Sequence, residues 1–165
     1  MKKLLFLLVI LVSISACNNN SGNGFVADSD LEFHMGSNPS VEAFKVFDSA
    51  WRNLDYKLMK TLIADSVSFE FHDGKIANSE DEFIELIKAD VEKTKLEGNS
   101  YSWTTDYAFS VDLNPSKEGE WVNAGFTSIL DNPKDSIVKK VYNDWYFFNK
   151  GKLELWYQAI RDIKE

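Results

Sequence analysis

The 165-residue sequence predicts an α+β domain, and three patterns carry that class. Apolar residues recur at helical spacing over three stretches between Val41 and Val91. From Tyr101 the spacing switches to strict alternation and holds to Leu113, as a strand requires. Turn-forming clusters then punctuate the rest of the chain, so three helices with one early strand precede a four-stranded antiparallel meander in a single domain.

Before the domain comes an address. "MKKLLFLLVILVSISAC" has two lysines, an unbroken apolar run from Leu4 to Val12 and small residues ending at Cys17, the layout of a secretory signal too short to span a bilayer. Ile14 to Cys17 resemble the lipobox of bacterial lipoproteins. That resemblance implies cleavage after residue 16, acylation of Cys17, including palmitate, and anchorage to a membrane of the bacterial cell envelope, outside the cytoplasm. Cys17 is the sole cysteine, so no internal disulfide competes for it. Cleavage removes Lys2 and Lys3 and no acid, leaving 16 basic against 26 acidic residues, a formal charge of −10. Such a surface repels phosphate backbones and anionic headgroups, which excludes nucleic acid as a partner and leaves membrane attachment to the lipid.

Residues 17–37 read as a lipidated tether and arm. "NNNSGNG", from Asn18 to Gly24, has nothing to pack, and Phe25 to Gly36 lacks a clear period. His34 lies there with no second histidine or cysteine nearby, so no metal site is expected. The domain proper is read over 38–165. Asn38 caps the first helix with Pro39 in its first turn, and Val41, Phe44, Phe47 and Trp51 form its apolar stripe. After Asp55 the stripe resumes with Leu58, Met59, Leu62 and Ile63. "VSFEF" is a short strand and "HDGKIAN" a turn. Ser79 and Glu82 form a capping box opening a third helix to about Lys95, which Gly98 stops. "NPSKEG", "DNPKD" and "NKG" separate strands at Tyr101–Leu113, Glu120–Leu130, Ser136–Phe148 and Lys152 to about Ile163.

This order, with "WRNLDYKLMKTLIADSVSFEFHDGKIAN" and "YFFNKGKLELWYQAIRD", resembles the nuclear transport factor 2-like superfamily, which includes SnoaL-like polyketide cyclases and ketosteroid isomerase. The resemblance implies a cone-shaped α+β roll: three helices packed on a curved antiparallel sheet, with a pocket at the wide end and a homodimer through the outer sheet face. The pocket it implies is lined by Phe47, Trp51, Phe71, Tyr101, Trp103, Tyr107, Trp121, Asp144 and Tyr146. Aromatic residues make up 14% of the chain, and the same stripes could instead fill the interior.

Ketosteroid isomerase uses a carboxylate base, a tyrosine and a second, protonated carboxylate. The resemblance places Phe71 at the base, Phe47 at the tyrosine and Asp144 at the second carboxylate. Phenylalanine neither abstracts a proton nor donates a hydrogen bond, so steroid isomerisation is not expected. Glu70 and His72 flank Phe71 and by alternation face away. Asp144 faces inward or outward equally well by pattern, because both faces of its strand are apolar. Three functions stay open at this point. The first is noncatalytic binding of a small apolar or amphipathic ligand, without cofactor. The second is a cyclase, dehydratase or hydrolase using Asp144. The third is a protein-interaction module of the envelope.

Overall fold

The computed structural model describes residues 22, 24–132 and 138–163. The leader, Cys17 and residues 133–137, which include most of the "DNPKD" turn and the expected strand start at Ser136, lie outside them. The described chain runs β1 (Gly24–Phe25), β2 (Glu32–Met35), α1 (Asn38–Arg52), α2 (Tyr56–Leu62), β3 (Ile63–Glu70), β4 (Ile76–Ala77), α3 (Glu80–Leu96), β5 (Ser100–Asp112), β6 (Glu120–Asp131), β7 (Val138–Asn149) and β8 (Lys152–Asp162).

Local chemistry sets the helix ends. Asp55 caps α2 by accepting from the Leu58 amide at 3.0 Å. Ser79 caps α3 by accepting from the Glu82 amide at 3.2 Å, and the Glu82 carboxylate reaches back to the Asn78 amide at 2.7 Å. The reciprocal half of the capping box is thus displaced by one residue. α1 begins after Ser37 rather than Asn38, and Ser37 makes no side-chain cap.

One sheet holds all eight strands, in the order β1-β2-β5-β6-β7-β8-β3-β4. It is mixed rather than antiparallel, because β3 pairs with β8 in parallel. The whole of α3 and the meander lie between these two strands, and a connection of that length lets them run the same way. The expected arm is part of the sheet: β2 pairs with β5 through His34 opposite Asp112 and Met35 opposite Val111. The sheet therefore begins upstream of residue 38, in strands too short to show a period. β4 likewise lies within the expected "HDGKIAN" turn. The last hairpin turns at Lys150 and Gly151, both with positive φ (50° and 77°), which suits the right-handed twist of its strands.

A bulge breaks the alternation of β5. The register with β6 shifts between Thr105 and Tyr107, and Asp106, the extra residue, accepts from the Thr127 hydroxyl at 2.8 Å. Trp103 and Thr105 therefore share the concave face with Ala108 and Ser110, whereas Tyr107, Phe109 and Val111 take the convex face. The helices cover the concave side: α1 lies against β5, β6 and β7, and α3 against β3 and β5. Phe44 and Phe47 of α1, Met59 of α2, and Phe83 and Ile84 of α3 are each 1% exposed or less.

A carboxylate ties the start of α1 to the sheet. Glu120 Oε2 accepts from the Ser37 amide (2.8 Å), the Ser37 hydroxyl (2.8 Å) and the Ser40 hydroxyl (2.5 Å). It caps the helix from 83 residues away and puts negative charge at the positive helix end. Burial opposes its ionisation, but the hydrogen bonds from Ser40 and Ser37 outweigh that and hold the carboxyl below its ordinary value of 4.5. A group with a depressed folded value contributes stability above 4.5 that is lost as the pH falls through the folded value. Glu120→Gln is expected to cost about 2 kcal/mol at pH 7, with the difference shrinking toward pH 3. Urea unfolding at the two pH values checks this; an equal cost at both would show that the charge plays no part.

Candidate functional site

Asp144 points into the concave face. On β7 it alternates with Tyr142, Tyr146 and Phe148, and its cross-strand neighbours are Ala124 on β6 and Gln158 on β8. It is 3% exposed. Its Oδ2 accepts from Trp156 Nε1 at 3.2 Å and from the Tyr146 hydroxyl at 3.3 Å. Its Oδ1 is shut off from solvent and makes no hydrogen bond of ordinary geometry. Burial pushes the carboxyl from 3.8 up to about 7; Trp156, Tyr146, Gln158 and the Ala159 amide pull the other way without cancelling it. Burial and the adjacent Asp144 likewise hold the Tyr146 phenol well above its ordinary range. The group therefore titrates around neutral pH and is a protonated acid below it, among donors that stay protonated.

Aromatic rings enclose it. Trp156 lies 4.9 Å from Phe71, 5.4 Å from Trp51 and 5.6 Å from Phe83, each ring meeting it edge to face. Phe83 in turn packs on Phe69 at 4.8 Å and Trp51 at 5.2 Å. Phe69, Phe83, Trp156 and Tyr146 are 0, 0, 1 and 3% exposed, so a water molecule touches them neither from outside nor from an inner hollow. The floor around Asp144 is packed core.

Above the floor the rings thin out into a rim. Tyr101, 44% exposed, leans on Trp103 at 5.8 Å. Its phenol is tucked toward Tyr142 and Ser128, and burial, then Tyr142, keeps it protonated far above its usual range. Burial also raises the Tyr142 phenol. Asp48 of α1 fixes the Trp103 indole by accepting from Nε1 at 2.9 Å, while also taking the Thr105 hydroxyl (2.9 Å) and Arg52 (2.7 Å). The Arg52 guanidinium lies 5.4 Å over the Trp103 ring. His72, exposed at the end of β3, sets Nδ1 2.6 Å from Gln158 Oε1 and its ring edge-on to Tyr142. Gln158 thus stands between the histidine at the rim and the acid on the floor.

The predicted site residues divide accordingly. Phe47, Trp51, Phe71, Trp103, Asp144 and Tyr146 share the interior, and Tyr101 stands at its rim. Tyr107 and Trp121 do not join them: the bulge turns Tyr107 outward, and Trp121 pairs with Phe147 on the convex face. Sequence reading missed Trp156 and Gln158 as neighbours of Asp144. Counting back from the Lys150–Gly151 turn sets Asp144 opposite Tyr157, and the irregularity between Phe147 and Phe148 moves Gln158 there instead. A groove of about 300 Å³ lies elsewhere, on the solvent side of α1 and α2 beside Lys45, Ser49 and Asn53. Among the described residues no three His, Cys, Asp or Glu side chains gather as metal ligands.

No family model matches the chain, and no curated protein matches it by sequence. Solved structures do resemble it. An LEH-like epoxide hydrolase of Mycobacterium tuberculosis superposes with a TM-score of 0.56 at 13% identity, over 74% of this chain and 83% of the other. A putative ketosteroid isomerase of Kribbella flavida gives 0.59 at 8% identity, over 79% and 84%. A putative polyketide cyclase of Xanthomonas campestris gives 0.53 at 10%, over 73% and 88%. At such identities the likeness speaks for the backbone alone. The chain has the nuclear transport factor 2-like fold, the frame that these hydrolase, isomerase-like and cyclase-like structures share.

Proposed function

We propose that this protein is an envelope lipoprotein, anchored through Cys17, whose nuclear transport factor 2-like domain binds a small amphipathic molecule at the rim of the cone without transforming it. The sealed surroundings of Asp144 carry this reading. A catalytic acid must reach its substrate, and this carboxyl is spent on the buried Trp156 and Tyr146 donors beneath rings that leave no room for one. The rim is different. Tyr101, Trp103 and Tyr142 present partly exposed rings, and His72 and Gln158 supply polar atoms beside them, the mixture that orients an amphipathic ligand.

A neutral fluorescent probe, N-phenyl-1-naphthylamine, is expected to bind the protein, and Tyr101→Ala to weaken that binding by roughly fivefold, about 1 kcal/mol of aromatic contact. Probe titration against both proteins checks it; equal affinity would place the binding elsewhere.

Asp144 should behave as a buried proton holder. Its folded value lies above the unfolded 3.8, so the folded chain binds the extra proton. Its contribution to stability is therefore full below pH 3.8, falls as the pH rises toward 7, and levels off above it. Asp144→Asn keeps the shape and removes the titration. The variant should match the parent near pH 4 and exceed it above pH 7 by on the order of 4 kcal/mol. Thermal melts across this range test it, and parallel profiles would mean that the acid is hydrated.

Cys17→Ser is expected to release the protein from membranes. Fractionation of cells expressing each form checks this, and unchanged membrane association would refute the anchor.

A further inference from the structure

The convex face of the sheet carries an uncharged patch. Three successive rows across β5, β6, β7 and β8 carry no charge. They start at Val111, Phe109 and Tyr107 on β5 and end at Leu155, Tyr157 and Ala159 on β8. In a chain with 27% charged residues, twelve neighbouring positions without one form a distinct patch. Half of them are rings. Trp121 meets Phe147 at 5.2 Å, Tyr157 at 5.5 Å and Trp145 at 6.4 Å. Tyr107 and Phe109 stack at 6.1 Å and stand 47 and 38% exposed. Gly125 makes this possible, since a Cβ there would come within 2.3 Å of the Tyr107 ring. The polar atoms on the patch satisfy one another: Asn123 and Asn143 exchange amide hydrogen bonds at 3.1 and 3.3 Å, and Asn143 also donates to the Tyr107 hydroxyl at 2.6 Å.

Two further facts choose what covers it. The first is reach. The Gly22 amide donates to Glu32 of β2 at 3.0 Å, at the sheet edge beside β5. Cys17 lies five residues earlier, a span of at most roughly 18 Å. Met35 on β2, opposite Val111 and 59% exposed, carries the apolar surface from the patch toward that edge. A chain lipidated at Cys17 would hold this edge beside the headgroups continuously, whereas a second copy must be met by diffusion. The second is chemistry. Tryptophan and tyrosine place an apolar ring and a polar tip at one depth, which suits the boundary between headgroups and acyl chains.

We propose that the uncharged convex face of β5 to β8 rests on the lipid surface of the membrane to which Cys17 is anchored. The proposal rests on the anchor reading above. The contact is apolar, so it does not depend on anionic lipid.

The test uses the full lipidated protein in phosphatidylcholine vesicles, with and without brominated acyl chains that quench tryptophan on contact. Trp121 and Trp145 lie on the face, whereas Trp51, Trp103 and Trp156 lie on the opposite, concave side of the sheet. Emission is expected to drop with brominated lipid, and the drop to shrink at least twofold in the Trp121→Phe, Trp145→Phe double variant. Adding anionic lipid should leave the drop unchanged. Flotation with vesicles and the acyl mass on Cys17 report separately on the anchor. Protein that floats and carries acyl chains but is not quenched overturns the face contact and leaves the anchor standing; cross-linking into pairs through Trp121 and Trp145 under those conditions assigns the face to a second copy. Protein without acyl mass that fails to float overturns the anchor and this contact with it.

Discussion

The contact between Trp156 and Asp144 is the constraint on which the interior depends. The Trp156 indole touches Trp51 of α1, Phe83 of α3, Phe69 and Phe71 at the end of β3, and Tyr146 of β7. It is where the separate layers become one core. An indole N–H so deeply buried must find an acceptor, and Asp144 Oδ2 is that acceptor, for the Tyr146 hydroxyl as well. The arrangement explains why a carboxyl can stand at the centre of an aromatic core. One oxygen answers two donors, and protonation below about pH 7 removes the charge that burial penalises.

The fold was legible in the sequence wherever a period ran long enough. Phe44 and Phe47, Ser79 with Glu82, and the long alternation after Gly98 each announced their element. What escaped was set by tertiary pairing. β1 and β2 are too short for periodicity and owe their form to the free edge of β5. The bulge at Asp106 carries no sequence mark, yet it moves Tyr107 and Phe109 from the pocket side to the convex side. Asp144 was undecidable for a related reason. Alternation reveals orientation only when one face is wet, and here both faces of β7 are apolar. The shift near Phe148 then hid its true neighbour, Gln158. Even so, six of the nine residues expected to line a pocket do meet inside, although there they form packing around the acid.

A sheet with two aromatic faces needs two covers, and the helices supply only one. On the concave side α1 and α3 close the core and present their own polar backs to solvent. α3 alone carries six acidic residues against three lysines. On the convex side the rows from Trp121 to Tyr107 carry no charge at all. The helices carry charges of both signs toward solvent and the convex rows carry none, which gives the domain one charged and one uncharged side. With the depth of the cone occupied by Trp156 and its neighbours, what remains available for recognition is the rim around Tyr101 and the convex face, and the two lie on different sides of one sheet. A molecule held at the rim could thus be engaged while the convex face stays against a bilayer, because neither contact needs the surface that the other uses.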